Sequence, residues 1–394
     1  MKTKTLYLLL ALLLGLPFAC RKESAYVPEI KVNLNQAKEL PLSRLAKSVR
    51  YLKLGSPERG DPAFYPLSKV ILNSSRIAVL SESMNDVTCQ VFLFDQTGKF
   101  LFHLDGAAEG PNSIFGVADI DMTGNELDLL NYLRKSIFKY DLNGQLLEVL
   151  PIPERFTKFK RLQKNGYAFD TDNSPSVDSG APFAVALWKT GKKNLAGAYL
   201  NIPEHLQIGD GEDVFIQGEN ATLYRRKYDP YVYSVDFKNG VTPLYQFHIK
   251  DLWIDTEEYQ DPLKVMEDLN RGKMVQSIYF PVQSSDKLMA FLFFSGKIFL
   301  LIAPQQGGEA QVLRITENDI DGCPIPFTFP KAFIPPSTLV FAIDPEEIKK
   351  AASSPIATNN PKNGLTGFAR TLGEQSNPVL MFVELKEEVF GAKR

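Results

Sequence analysis

A strand–turn–strand unit that recurs at steps of 46, 47 and 48 residues predicts an all-β chain folded as a six-bladed β-propeller. Composition agrees, because 44% hydrophobic and 11% aromatic residues suit blades that bury both faces. Length agrees too: 394 residues are too many for one ordinary core unless the architecture is closed or repetitive.

The chain opens with Met1-Lys-Thr-Lys4, an uncharged apolar run from Leu6 to Leu16, and Pro17-Phe-Ala-Cys20. A basic start, a short apolar run and a small residue before the cut describe a secretory signal over residues 1–19. The run is shorter than the roughly 20 residues a membrane-spanning helix needs. Cys20, directly after a small residue, resembles a lipobox cysteine whose thiol is acylated. Pro17 stands where the usual pattern has Leu, so ordinary cleavage near Ala19 stays open. Acylation at Cys20 would anchor the mature chain to a membrane surface without spanning it. Residues 20–45 then read as a lipid-anchored tether and entering segment, and residues 46–394 as the propeller with a short helical insertion.

Cleavage removes two lysines and leaves 42 basic against 46 acidic residues, a balance of −4. That is too mild to point to nucleic acid, and the longest basic cluster is Arg225-Arg226-Lys227. Cys89 and Cys323 are open to two readings, one disulfide or two small buried apolar side chains.

Strand candidates follow in order. Ser68–Leu72 precedes Arg76–Leu80, and Val117–Asp121 precedes Glu126–Leu130. The repeat itself is clearest at Val91-Phe-Leu-Phe-Asp95-Gln-Thr-Gly98 and Ile137-Phe-Lys-Tyr-Asp141-Leu-Asn-Gly144, each followed by a second alternating strand. Weaker copies are Ala184–Gly191 and Val232–Gly240. Asp before a turn ending in Gly suits a hairpin, because Asp bonds nearby amides and Gly accepts positive φ. A fifth copy, Ile298–Gly307, is delayed by residues 250–276, whose apolar spacing is helical. A sixth unit combines Leu339–Ile343 with Val379–Leu385, separated by Pro-rich loops and a capped helix beginning at Asp344-Pro-Glu-Glu. Val49–Leu54 is placed in the last blade, closing the ring and removing exposed edges.

Several phrases together resemble the six-bladed β-propeller lipoproteins of Bacteroidetes. They are the lipoprotein start, Leu42-Ser-Arg-Leu45 before Val49-Arg-Tyr-Leu-Lys-Leu54, Gly106-Ala-Ala-Glu-Gly-Pro-Asn-Ser-Ile-Phe115, and Asn377-Pro-Val-Leu380. Relatives commonly carry an acid two places after the Gly-Pro, where this chain has Ser113. The resemblance covers nearly the whole mature chain. It implies the fold and an envelope location, anchored to the outer membrane on its periplasmic or surface face, and brings no reaction with it.

Candidate chemistry is sparse. The three histidines, His103, His205 and His248, have no metal-binding helical spacing, and two sit in alternating strands. Paired acids occur at Asp119 with Asp121, at Asp170 with Asp172, and at Asp210-Gly-Glu-Asp213. Asp170, Asp172 and Asn173 offer oxygens for calcium from one loop, against a plain solvated turn. The Gly106–Pro111 phrase lacks the Lys-Ser/Thr of a phosphate loop and reads as a connection between blades, with Asn112 a candidate on a binding rim. Tyr224, Arg226 and Tyr228 are candidates for stacking on a sugar or gripping a peptide, against packing between blades.

These readings lead to an envelope binding or scaffold protein for a glycan, peptide or partner protein, without catalysis or cofactor. The alternative is a hydrolase or lyase with acids gathered in the central funnel. Fold alone does not choose between them.

Overall fold

The computed structural model describes residues 26–82, 89–106, 114–207, 209, 211–218, 221–250, 252, 261, 264–265, 267–268, 271–284, 286–326, 328–359 and 364–390. Its strands form six sheets. The first holds Lys69–Leu72, Arg76–Glu82, Cys89–Asp95 and Phe100–Asp105. The second holds Val117–Thr123, Glu126–Asn131, Ser136–Asp141 and Leu146–Pro151. The third holds Lys158–Gln163, Gly166–Asp170, Phe183–Lys189 and Gly197–Asn201. The fourth is built on Phe215–Gln217, Thr222–Arg225, Tyr231–Asp236 and Gly240–Ile249. The fifth is built on Ile278–Ser284, Lys287–Phe294, Lys297–Pro304 and Gln311–Ile315. The sixth holds Ala332–Ile334, Thr338–Ile343, Val379–Leu385 and, from the other end of the chain, Ala46–Lys53.

Each sheet shares an apolar cluster with the next. Ala78 and Leu93 of the first cluster with Ile120 and Leu129 of the second. Leu130 and Ile137 meet Phe159 and Phe169 of the third. Val185 joins Tyr224 and Tyr233 of the fourth, and Leu223 and Val232 join Ile278 and Leu288 of the fifth. Met289 and Leu300 join Phe341 and Met381 of the sixth, which turns its other face, through Val340 and Phe382, to Val79 and Phe92 of the first. The ring therefore closes, and the fold is an all-β β-propeller.

The hairpin reading holds in atomic detail. Asp95 Oδ1 accepts the Thr97 and Lys99 amides at 2.8 and 3.1 Å, and Asp141 Oδ1 accepts those of Asn143 and Gln145 at 2.9 and 2.8 Å. Gly98 and Gly144 sit at φ +80° and +86°. In the third copy Trp188 replaces the acid, and its indole N–H donates to the Lys192 carbonyl at 2.7 Å. The first three hairpins join the two outermost strands of their sheets, and the fourth joins the third and fourth strands of a sheet that extends one strand further into the chain start.

Closure uses Ala46–Lys53 as expected: it pairs antiparallel with Val379–Leu385, with Val49 opposite Val383. The segment before it corrects the sequence reading. Residues 26–45 are not a bare tether, because Glu29–Val32 adds as a parallel strand to the edge of Gly240–Ile249. Lys38–Leu40 then adds in parallel to Leu313–Ile315. Alternation in these short runs is too brief to signal a strand, but the edges they cover supply the backbone partners. The chain start is thus a strap across three consecutive sheets.

Asn377, buried to 1%, explains the Asn-Pro phrase. Its side chain donates to the Leu54 and Pro62 carbonyls and accepts the Phe64 amide at 2.8 Å, fastening the connection from the sixth sheet to the first. Residues 344–378 form the helices Pro345–Ala352, Pro355–Asn359 and Leu365–Ala369, with Asp344 capping the first at the Glu346 amide. The disulfide reading is wrong: Cys89 lies at the edge of the first–second core and Cys323 in the fifth–sixth core, both as free thiols. Most of the 250–276 insertion lies outside the described residues, although 264–265 and 267–268 are helical.

Candidate functional site at the channel mouth

Strand direction alternates within each sheet, so connections after the second and fourth strands emerge on one face of the ring. Those connections are 54–68, 106–116, 132–135, 152–157, 171–182, 202–214, 226–230, 250–277, 316–331 and 344–378 among others. The opposite face carries short turns such as 73–75, 124–125 and 164–165. Long connections therefore gather on one side, around the mouth of the central channel. The first strands of neighbouring sheets lie against one another around the axis.

At this mouth the opening strands of five of the six sheets begin with or beside a charge. Lys69 starts the innermost strand of the first sheet, Asp119 lies near the start of the second, and Lys158 starts the third. Asp213 precedes Phe215–Gln217 of the fourth, and Lys331 precedes Ala332–Ile334 of the sixth. Lys69 Nζ is 2.8 Å from Asp119 Oδ1 and 3.2 Å from Asp213 Oδ1. The first and fourth sheets stand opposite in the ring, so the Lys69–Asp213 pair bridges the axis and closes the channel at that level. Burial opposes the ammonium of Lys69, but Asp119 and Asp213 outweigh it and raise its pKa. For Asp213 burial is likewise overcome, by Lys69, Lys158 and then Lys331, and its carboxyl is lowered. Asp119, with no exposed surface, is raised by burial despite Lys69 and Lys158.

The acids also stitch one sheet to the next. Asp119 Oδ2 accepts the Phe159 amide of the third sheet at 2.9 Å, and Oδ1 its own neighbour Ile120 at 2.9 Å. Two residues along, Asp121 accepts the Arg161 amide at 2.9 Å and the Lys160 ammonium at 2.6 Å. Every oxygen of this pair accepts an amide or ammonium, so both carboxylates act as ties within and between the sheets. Deeper between the same sheets, Arg161 reaches Glu126 at 2.5 Å and Asp128 at 3.5 Å. Tyr167 donates to Asp128 at 3.0 Å, and burial lifts that carboxyl to about 6.

The candidates named from sequence fall elsewhere on this face. Asp170 Oδ1 accepts the Asp172 amide at 2.8 Å and Oδ2 the Tyr224 hydroxyl at 2.8 Å. Asp172 accepts the Gly211 amide at 3.3 Å, and Asn173 donates to the Leu206 carbonyl. The three side chains thus hold the 171–182 and 202–214 connections together; no cluster of three acids, histidines or cysteines suited to a metal occurs among the described residues. Tyr224 and Tyr228 are buried, at 1% and 3%, and so are not open to a sugar. Arg226 donates to the Asn201 carbonyl at 2.9 Å and pairs with Asp229 at 2.9 Å. His103 stacks on Phe92 and His248 stands at the edge near Glu29, far apart in the fold. Asn112, Asp210 and Cys20 lie outside the described residues.

Sequence reasoning missed Lys69, Lys158 and Lys331. Their signal was position: each opens, or immediately precedes, the first strand of a repeat unit. Also missed were the exposed apolar residues of the long connections. Tyr65, Phe115, Leu133, Val177 and Ile356 are 72, 42, 49, 66 and 38% exposed, and all five lie on the long-connection face. An apolar cavity of about 170 Å³ between the fifth and sixth sheets, lined by Leu42, Phe291, Leu339 and Val383 among others, carries none of these charges.

A closed propeller with a charge-bridged axis and one elaborated face belongs to the class of proteins that present loops from a rigid ring. The chain belongs to the family described as domain of unknown function DUF4934, whose model matches residues 26–384. No functionally described curated protein matches it by sequence. Among solved structures it is similar to a protein described as exported from Bacteroides fragilis NCTC 9343. The TM-score is 0.69 at 12% identity, with 92% of this chain and all of that one covered. It is also similar to a DUF4221 family member from Bacteroides vulgatus ATCC 8482, at TM-score 0.50 and 9% identity, covering 87% and 97%. At such identities the likeness concerns the fold.

Proposed function

We propose that the protein is a non-catalytic binding protein of the bacterial envelope that takes a glycan, peptide or partner protein on its long-connection face. The observation that carries this reading is the distribution of exposed apolar side chains. Five large ones crown the connections of that face, whereas Leu101, Leu147 and Val149 lie on outer strands and Tyr26 precedes the strap. Water-exposed aromatic and aliphatic groups around a rigid rim are what a recognition surface requires. We infer further that each of the six sheets is one blade, that residues 1–19 direct export, and that acylated Cys20 anchors the ring to the outer membrane. The structural similarity to a protein described as exported supports export.

The test is retention of the full chain on arrays of glycans and peptides, with mass spectrometry of the bound ligand after prolonged incubation. One ligand class retained unaltered, and lost in a Tyr65→Ala/Phe115→Ala variant that keeps its circular dichroism, is the expected result. Chemical conversion of the ligand, or retention untouched by that variant, would overturn the reading.

A further inference from the structure

The cavity between the fifth and sixth sheets has a buried floor and an exposed rim. Phe291 and Leu300 of the fifth sheet and Phe341 and Val383 of the sixth line the floor, and all four are buried. Gly296, Lys297 and Thr328 line the same cavity but are exposed, with Ile298, Arg314 and Ile325 half-buried between the two sets. Residues 295–296 follow the second strand of the fifth sheet, and 316–331 follow its fourth. The mouth therefore opens on the long-connection face, at a different sheet boundary from Tyr65 and Phe115. An apolar cavity of roughly 150 Å³ accepts benzene, so the 170 Å³ here suits one six-membered ring or about six aliphatic carbons. Two cations and, among the described residues, no acid belong to the lining. Lys297 makes no ion pair with any described residue. Arg314 gives one nitrogen to Glu39 of the strap, and its guanidinium keeps further donors to offer.

We propose that this cavity binds a small monocarboxylic acid, its ring or alkyl body between the sheets and its carboxylate at the Lys297–Arg314 rim. The floor gains apolar surface removed from water. A neutral guest of the same shape would leave both cations to solvent, whereas an acid gives Lys297 a counter-ion at the edge of an apolar pocket, where screening is weaker than in open water. A second carboxylate at the far end of the guest would meet only apolar side chains, so the pocket selects against dicarboxylic acids. The inference goes beyond the binding reading above, which concerns Tyr65 and Phe115.

The test is ligand-observed NMR titration of the full chain with phenylacetate and hexanoate, beside phenylacetamide, hexanamide and the dicarboxylate adipate. Both monocarboxylates are expected to bind, and the amides and adipate to bind about threefold or more weakly. Lys297→Glu is expected to weaken the acids about tenfold, with Lys99→Gln, on a hairpin of the first sheet, unchanged. Ile325→Trp puts an indole in the mouth and is expected to abolish binding. Thermal melts check that it folds, and Thr328→Trp, at an exposed position of the same rim, repeats the block if it does not. Binding is expected to persist in Tyr65→Ala/Phe115→Ala, so this inference and the binding reading can fail separately. The inference is overturned if neither monocarboxylate binds, if binding survives in a folded blocked variant, if the amides bind equally and Lys297→Glu changes nothing, or if binding is lost with Tyr65 and Phe115.

Discussion

Replacing Asp119 by alanine removes a carboxylate that serves three partners at once. The Phe159 amide, which it accepts from the neighbouring sheet at 2.9 Å, loses its acceptor in the interior. An unsatisfied buried amide costs about 1–3 kcal/mol. Lys69 loses the nearer of its two counter-ions, and breaking a buried ion pair costs about 3–5 kcal/mol when nothing replaces it. Here Lys69 keeps Asp213 at 3.2 Å and is itself 15% exposed, so the lower part of that range is discounted further. The two effects together give a loss of about 4 kcal/mol for Asp119→Ala. Asp119→Asn keeps an acceptor for the Phe159 amide and loses the charge alone, a loss of about 2 kcal/mol by the same reasoning. Urea denaturation followed by circular dichroism, with unchanged slopes, measures both. With Lys69→Met the loss in the double variant is expected to be less than the sum of the two single losses, because both changes break the same Lys69–Asp119 pair, and a double-mutant cycle reads that coupling directly. A loss below about 1 kcal/mol for Asp119→Ala, or equal losses for alanine and asparagine, refutes the view that this carboxylate ties the second and third sheets together.

Two other outcomes follow from the same geometry. Gly98→Ala places a Cβ 2.1 Å from the Lys53 carbonyl of the closing strand, at φ +80°, whereas Gly191→Ala at φ +77° meets nothing within 4 Å. The first is expected to lower stability by more than about 2 kcal/mol and the second by about 1 kcal/mol, measured by urea midpoints; equal losses would remove the closing strand from the explanation. Asp128, raised from 3.8 to about 6, keeps its proton in the folded state over a pH window where the unfolded chain has released it. Stability from that group is therefore full below about pH 4 and fades as pH rises through about 6. Across pH 4 to 7 the wild type is expected to lose about 3 kcal/mol relative to Asp128→Asn, and parallel pH profiles of the two proteins would show the assignment to be wrong.

The repeat was legible because it is written in local chemistry. An acid that caps its own turn and a glycine at positive φ leave the same mark in sequence wherever a hairpin needs them, as Asp95 with Gly98 and Asp141 with Gly144 do. The strap left no such mark, since Glu29–Val32 and Lys38–Leu40 become strands only through edges more than 200 residues away. The site was half legible for a related reason. Asp119, Asp121 and Asp213 drew notice as acids, but their partners come from other sheets, and acids alone suggested calcium or hydrolysis. Tyr224 and Tyr228 misled in the opposite direction: aromatic spacing beside two arginines looks like a surface, whereas the third–fourth core takes Tyr224 and the 226–230 connection folds Tyr228 inward.

The strap also decides how the ring responds to a pull on its N-terminal side. Tension applied N-terminal to Tyr26 reaches the rungs at Glu29–Val32 first and those at Lys38–Leu40 next. Only after both have peeled away does it reach Ala46–Lys53, which locks the circle. Each released segment lengthens the leash and drops the load before the next is strained. The arrangement is a strain relief of the kind moulded where a cable enters a plug: cheap rungs yield in series, reversibly, and the joint that keeps the body closed is the last to feel the tug.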